Sequence, residues 1–287
     1  MKHLRVLVIG LWVASLCIAN AETRADEFAN LEKRSGGRIG IAALDVSTNK
    51  SVEYHGQQRF VMCSTFKVLA VAAVLKRVDE KKEKLDRFVT YGEAQLLEHA
   101  PVTRAHVKEG GMTLNALCAA AIDQSDNTAA NLILETIGGP KGVTEFARSL
   151  ADEFTRLDRN EPELNVATPG DDRDTTTPAA MSKDLQRLFT SDILSRESQS
   201  RLEAWMVANE TGLKMIRASV PADWKVGDKT GRSGNGASND VAILRPPTGG
   251  PIFLAIYVNA PNESSDGRDT LVAEAAKIAI EQLKKKE

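Results

Sequence analysis

The 287-residue chain lacks the residues that announce metal or redox chemistry. Its four histidines, His3, His55, His99 and His106, show no metal-ligand spacing, so no metal site and no cofactor are expected. Of three cysteines, Cys17 lies in the N-terminal leader described below. Cys63 and Cys118 could pair in an oxidising compartment. The simpler reading is two buried free thiols, because sequence alone sets no distance between them. A formal net charge of -2 gives no electrostatic case for nucleic acid or membrane partners. There is no internal repeat and no low-complexity linker. The one apolar run, Val6 to Ala19, is too short to span a membrane.

That run has another reading. Lys2 and Arg5 precede it and Ala19-Asn20-Ala21 follows it, the pattern of a secretory signal peptide over residues 1–21. No twin-arginine pair is present, and Leu16 before Cys17 does not suit a lipoprotein. The remainder is long enough for one large domain or two intimate ones.

Along that remainder, residues 23–34 form an amphipathic pattern, and the stretch from Gly37 to Phe60 alternates and turns at Ser47-Thr48-Asn49-Lys50 like a β-hairpin. From Ser64 to about Met206 the pattern is mostly helical. After Pro221 three extended segments follow, then a closing helix that is basic at its C-terminal end. The expected fold is α+β: a mostly antiparallel sheet from residues 22–60 and 209–287, covered by the terminal helices, with an all-helical region, 61–208, inserted. The segment 156–178 is long, polar and rich in Pro, Asp and Thr, as functional loops are.

Four short motifs carry possible chemistry, and each has an ordinary explanation. Ser64 and Lys67 share a face of an otherwise apolar helix. A serine is a poor nucleophile unless a neighbour takes its proton, which a desolvated amine can do. A chance pair on a solvated face is the alternative. In Ser125-Asp126-Asn127, the serine can relay a proton and the asparagine can hold an amide, but the run also suits a helix N-cap. Lys229-Thr230-Gly231 suits a carboxylate ligand at a strand edge, with Gly231 admitting close approach, or it is a surface lysine before a turn. Glu161 and Asn165 could position and deprotonate a water, or they are solvated loop residues.

All four, in this order, resemble the class A serine β-lactamases, a family for which Ser-x-x-Lys, Ser-Asp-Asn and Lys-Thr-Gly are themselves the standard example. The likeness runs over nearly the whole mature chain, through "PVT", "SDNTAANL", "RLDRNEPELN", "RDTTTPAAM", "DKTG" and "ND". It implies a serine β-lactamase/D,D-peptidase-like fold, a five-stranded antiparallel sheet flanked by helices with an inserted helical domain. It also implies a monomeric periplasmic hydrolase that opens the lactam amide of penicillins and cephalosporins and confers resistance to them.

The resemblance makes Ser64 the nucleophile and Glu161, with Asn165, the holder of the deacylating water. Lys67 and Glu161 are both candidates for the base of acylation. Ser125 would pass a proton to the lactam nitrogen. Asn127 would bind the substrate's side-chain amide, and Lys229 and Thr230 its carboxylate. The backbone N–H groups of Ser64 and Arg232 would form the oxyanion hole. Arg159 and Asp174 would close the neck of the loop at 156–178, the family's omega loop.

Departures concern substrate range. Ser238 stands where many relatives place a carboxylate-binding arginine, and Arg268 is the candidate substitute, with a helix-capping role as its alternative. His99 replaces an aromatic at the mouth. Arg232 and Ser233 are expected along the pocket edge. The family's common disulfide partner of Cys118 is replaced by Val71, and the partner of Cys63 in carbapenem-hydrolysing relatives is replaced by Ser233. The competing readings are a D,D-peptidase, which acylates but deacylates slowly, and a periplasmic β-lactam sensor or inert binding relative. Glu161 with Asn165 argues against the first, and the lack of a membrane segment beyond the leader argues against the sensor.

Overall fold

A computed structural model describes residues 27–166, 168 and 170–285. The expected signal peptide, and residues 23–26 of the expected first helix, lie outside the described residues. That helix, α1, is helical over residues 27–35.

Five strands form the central sheet: β1 (Arg38–Asp45), β2 (Lys50–Tyr54), β7 (Lys225–Arg232), β8 (Ala237–Arg245) and β9 (Ile252–Asn259). Their order is β2-β1-β9-β8-β7, antiparallel throughout. The hairpin read from Gly37 onward is the β1–β2 pair, with Ala43 opposite Val52. The three late segments are β7, β8 and β9. Period-two alternation sends β9 to both faces. Phe253, Ala255 and Tyr257 enter the core shared with the helical layer. Ile252, Leu254, Ile256 and Val258 enter a second core under α1 and α9 (Ser265–Lys284), with Phe28, Leu31, Val272 and Ala276.

The helical layer comprises α2 (Phe66–Asp79), α3 (Pro101–His106), α4 (Leu114–Asp123), α5 (Asn127–Thr136), α6 (Pro140–Ser149), α7 (Pro178–Thr190) and α8 (Arg196–Ala208). Every residue of α2 from Phe66 to Leu75 is buried, so this helix is apolar all round because it is the axis of the layer. Hydroxyl and carboxylate caps fix several starts: Thr113 receives Ala116 N, Asp126 receives Ala129 N, and Thr177 receives Ala180 N.

The helical reading of 64–206 needs correcting in two places. Phe60–Val61 (β3) pairs with Thr175–Thr176 (β6), and Phe88–Thr90 (β4) pairs with Gly111–Thr113 (β5). Strands of two or three residues are too short to show alternation. Cys63 and Cys118 are both buried and free, and burial pushes both thiols well above their ordinary pKa.

Candidate active site

Ser64 lies in a single 3-10 turn, Cys63–Thr65, that feeds α2. Cys63 has a left-handed backbone, φ 47°, which turns the chain sharply from β3 into the helix. The approach is tied down from two sides. Asn239 Nδ2 on β8 donates to Val61 O at 2.8 Å and Met62 O at 3.1 Å, and Thr65 Oγ1 donates to Met62 O at 2.9 Å. β7 then closes on the turn at Gly231. A Cβ there would fall 2.7 Å from Met62 O and 3.1 Å from Ser64 N, so a side chain would push the strand away from Ser64.

Lys67, on the first turn of α2, is fully buried. Its ammonium donates to Ser125 O at 2.8 Å and Asn127 Oδ1 at 2.7 Å, lies 3.4 Å from Ser125 Oγ, and pairs with Glu161 Oε1 at 3.1 Å. Burial pulls its pKa below the ordinary lysine value, with Glu161 acting in the opposite sense. This answers why a core helix carries a lysine: the charge has four oxygen partners.

The Ser125–Asn127 stretch serves both readings made of it. Asp126 caps α5 and also accepts Val102 N at 3.0 Å, Thr103 N at 2.8 Å and Thr103 Oγ1 at 2.9 Å, tying α3 to α5. Ser125, with φ 56°, is thereby turned toward the two lysines. Its hydroxyl accepts from Lys229 Nζ at 2.9 Å. Lys229 is also fully buried, and desolvation with repulsion from Lys67 holds its pKa well below the lysine range.

Glu161 is buried at the other side of Ser64, whose Oγ donates to Glu161 Oε1 at 3.3 Å. Asn165 Nδ2 donates to Glu161 Oε2 at 2.6 Å. A residue absent from the sequence reading holds the Glu161 backbone. Asn131 Nδ2 donates to Glu161 O, and Asn131 Oδ1 accepts Glu161 N, each at 2.9 Å. At the loop neck, Arg159 Nε meets the fully buried Asp174 Oδ2 at 2.5 Å, while Asp158 N and Arg159 N donate to Asp174 Oδ1 at 2.8 and 2.9 Å. Asp174 O in turn accepts Met62 N at 2.9 Å, so the loop neck and the chain leading to Ser64 share an anchor.

A cavity of about 280 Å³ joins these groups, lined by Ser64, His99, Ser125, Asn127, Asn165, Thr211, Thr230, Gly231 and Arg232. His99 is exposed at its edge, with its ring bonded to Gln124 O at 3.0 Å. Thr211, also unforeseen, shares a hydroxyl contact of 2.5 Å with Thr230. Two expected contributors stand apart. Ser233 Oγ accepts Asn235 N and Ala237 N within the β7–β8 turn. Arg268 donates to Glu263 O at 2.6 Å on the first turn of α9. Neither lines this cavity. The geometry has the parts of an acyl-transfer enzyme: a serine and a lysine that both meet one carboxylate beside a cleft.

Comparison with known proteins agrees. The profile of the β-lactamase enzyme family matches residues 23–283. β-Lactamase OXY-2 of Klebsiella oxytoca is 44% identical over 92% of this chain and 91% of its own. An imipenem-hydrolysing β-lactamase of Enterobacter cloacae is 45% identical over 99% and 98%. Among solved structures, the ancestral (GNCA) class A β-lactamase superposes with a TM-score of 0.88 at 53% identity, covering 90% of this chain and 99% of that one. The chain belongs to the β-lactamase enzyme family, as a class A serine β-lactamase that hydrolyses β-lactams.

Proposed function

We propose that the chain hydrolyses penicillins and cephalosporins through an acyl-enzyme on Ser64, with Glu161 activating the water that removes the acyl group. The observation that carries this reading is that Glu161 Oε1 meets both Ser64 Oγ, at 3.3 Å, and Lys67 Nζ, at 3.1 Å.

In acylation, Ser64 Oγ attacks the lactam carbonyl and its proton passes toward Glu161. The oxyanion is received by the N–H groups of Ser64 and Arg232, where one donor is worth roughly 10²–10³ in rate. When the C–N bond breaks, the nitrogen takes a proton from Ser125. Lys67, which bridges Glu161 and Ser125, returns that proton across the site. The depressed pKa of Lys67 suits it to this carriage. Of the two candidate bases for acylation, Glu161 is favoured because the serine hydroxyl donates to it. The four oxygens around Lys67 favour its role as proton carrier.

For deacylation, Glu161 takes a proton from water, which attacks the ester, and Ser64 recovers its hydrogen. Asn165 Oδ1 is buried and accepts no hydrogen bond, so it is an acceptor available to that water. Asn127 Oδ1 is occupied by Lys67, which leaves its amide N–H groups to the substrate's side-chain carbonyl. The chain is exported to the periplasm on removal of residues 1–21 and acts there as a monomer without a cofactor, conferring β-lactam resistance.

A stopped-flow assay with a penicillin tests this reading. Many turnovers per site are expected, with Ser64→Ala showing neither hydrolysis nor a penicilloyl adduct. A single stoichiometric burst by the unmodified protein would favour a D,D-peptidase or a sensor. An adduct on another residue would remove Ser64 from the mechanism.

A further inference from the structure

Gly40 on β1, Tyr257 on β9, Asn239 on β8 and Gly231 on β7 lie in one row across the sheet. Residues paired in this way turn to one face of a sheet. Here it is the face that meets the helical layer, where Tyr257 packs against Phe60. The row is shaped to carry the chain from Phe60 to Thr65. Its two glycines leave the room: a Cβ on Gly40 would run into the Phe60 ring, and one on Gly231 into Met62 O. Its two polar members supply donors. Asn239 Nδ2 holds Val61 O and Met62 O, and Tyr257 Oη meets Thr65 Oγ1 at 3.1 Å. Because the threonine hydroxyl gives its proton to Met62 O, the tyrosine is the donor in that contact. Thr65 N also donates to Met62 O, at 3.3 Å, so three donors converge on this one carbonyl.

We infer that this row is the platform of the oxyanion hole, with Asn239 and Tyr257 as positioning residues that act through Met62 O on the Ser64 N–H. The inference rests on the reading of Ser64 as the acylated serine whose N–H receives the oxyanion. Only Cys63 lies between Met62 O and that N–H. Its left-handed φ of 47° is a conformation that a residue with a side chain keeps only where its surroundings over-determine it. The bonds to Val61 O and Met62 O fix the peptide planes before Cys63, and the Gly231 backbone limits where Ser64 N can move. With the Met62 carbonyl released, Cys63 can relax toward negative φ. That swings the plane of the Cys63–Ser64 peptide and re-aims its N–H. Neither Asn239 nor Tyr257 lines the cavity that holds Ser64, so both act at one remove from the substrate.

The test measures kcat/KM for a penicillin and the affinity of phenylboronic acid, well below the Tm of each variant. Boron takes Ser64 Oγ as the serine proton passes to Glu161, and the tetrahedral anion so formed places an oxygen in the hole without any later step. Asn239→Ala removes both donors. Asn239→Asp replaces them with a carboxylate of the same shape, and Tyr257→Phe deletes one oxygen while the ring keeps its packing. Both Asn239 variants should lose about 10- to 100-fold in kcat/KM, the scale of misplacing a donor that is worth roughly 10²–10³. Their boronate affinity should fall in parallel, and Tyr257→Phe should lose less in both measures. Should Asn239→Ala fail to fold, the two shape-keeping variants decide. A fall in Tm with kcat/KM intact in those two would reduce the row to a support of the fold and overturn the inference. A loss in kcat/KM with boronate affinity unchanged would overturn it as well. If the unmodified enzyme forms no boronate adduct on Ser64, the acyl-enzyme reading fails instead.

Discussion

Among the buried ionisable side chains of the described residues, two pairs are built on opposite terms. Lys67 and Glu161 are of opposite charge, 3.1 Å apart, and each has further partners: Ser125 and Asn127 for the lysine, Ser64 and Asn165 for the glutamate. Asp152 and Asp184 are of like charge, and neither oxygen of the fully buried Asp184 meets a donor. Asp152 Oδ1 accepts Phe154 N and Thr155 N, but its Oδ2 has none. A protonated Asp184 donating to Asp152 reconciles these facts. Burial first, then the charge of Asp152, pushes the Asp184 pKa up to about 10, against the pull of Arg187 and Arg148. The difference teaches what burial of charge requires. The first pair is held by compensating partners, whereas the second is accommodated by holding a proton.

Breaking the support of the first pair should have the larger effect. Arg159→Ser leaves the buried Asp174 carboxylate without its cation and frees the neck of the loop that carries Glu161. Deacylation is expected to slow by up to about 10²-fold, the scale of a misplaced catalytic group, with faster amide hydrogen exchange across 158–166. Unchanged exchange and kinetics would show that the backbone donors of Asp158 and Arg159 hold Asp174 unaided.

Breaking the second pair should leave catalysis alone and alter stability. Asp184 takes up a proton on folding between its ordinary value of 3.8 and about 10. Its contribution is therefore complete below the unfolded pKa and is lost as pH rises toward the folded one. Asp184→Asn keeps a donor for Asp152 without the titration. It should flatten the fall in Tm with rising pH, at about 2–4 °C for each kcal/mol recovered. Parallel Tm profiles for the two proteins would mean that Asp184 is ionised in the fold.

Much of this was legible in the chain. The sheet showed as alternation in β1 and β9, and the central helix as an apolar run interrupted by Ser64 and Lys67. The candidate reacting groups were readable because four short motifs, each weak alone, resemble in this order those of the class A serine β-lactamases. Their supports were not. Asn131 reaches Glu161 across 30 residues, Arg232 reaches Asp269 across 37, and Asn239 reaches Val61 across 178. An asparagine that clamps a backbone looks like any polar helix residue until the fold brings its target to it. The same holds for Asp184, whose neighbour Asp152 precedes α7 by a long loop. Arg268 and Ser233 do not line the cavity: the family resemblance placed them near it, but Arg268 Nη1 donates to Glu263 O, and Ser233 Oγ accepts Asn235 N and Ala237 N.

The central claim is that Glu161 activates the deacylating water, and the mass of the intact protein after exposure to penicillin tests it most directly. With Glu161→Ala, no other group in the cluster is free for that role, since Lys67 is held by Ser125 and Asn127 and Lys229 by Ser125 and Thr230. General-base help is worth roughly 10²–10⁴-fold, and Glu161 serves both steps, so acylation should slow as well. The strained lactam still opens, whereas the unstrained ester stalls, and the variant should consume about one equivalent and persist as a penicilloyl adduct on Ser64. Rapid multiple turnover with only the unmodified mass detected would contradict the account.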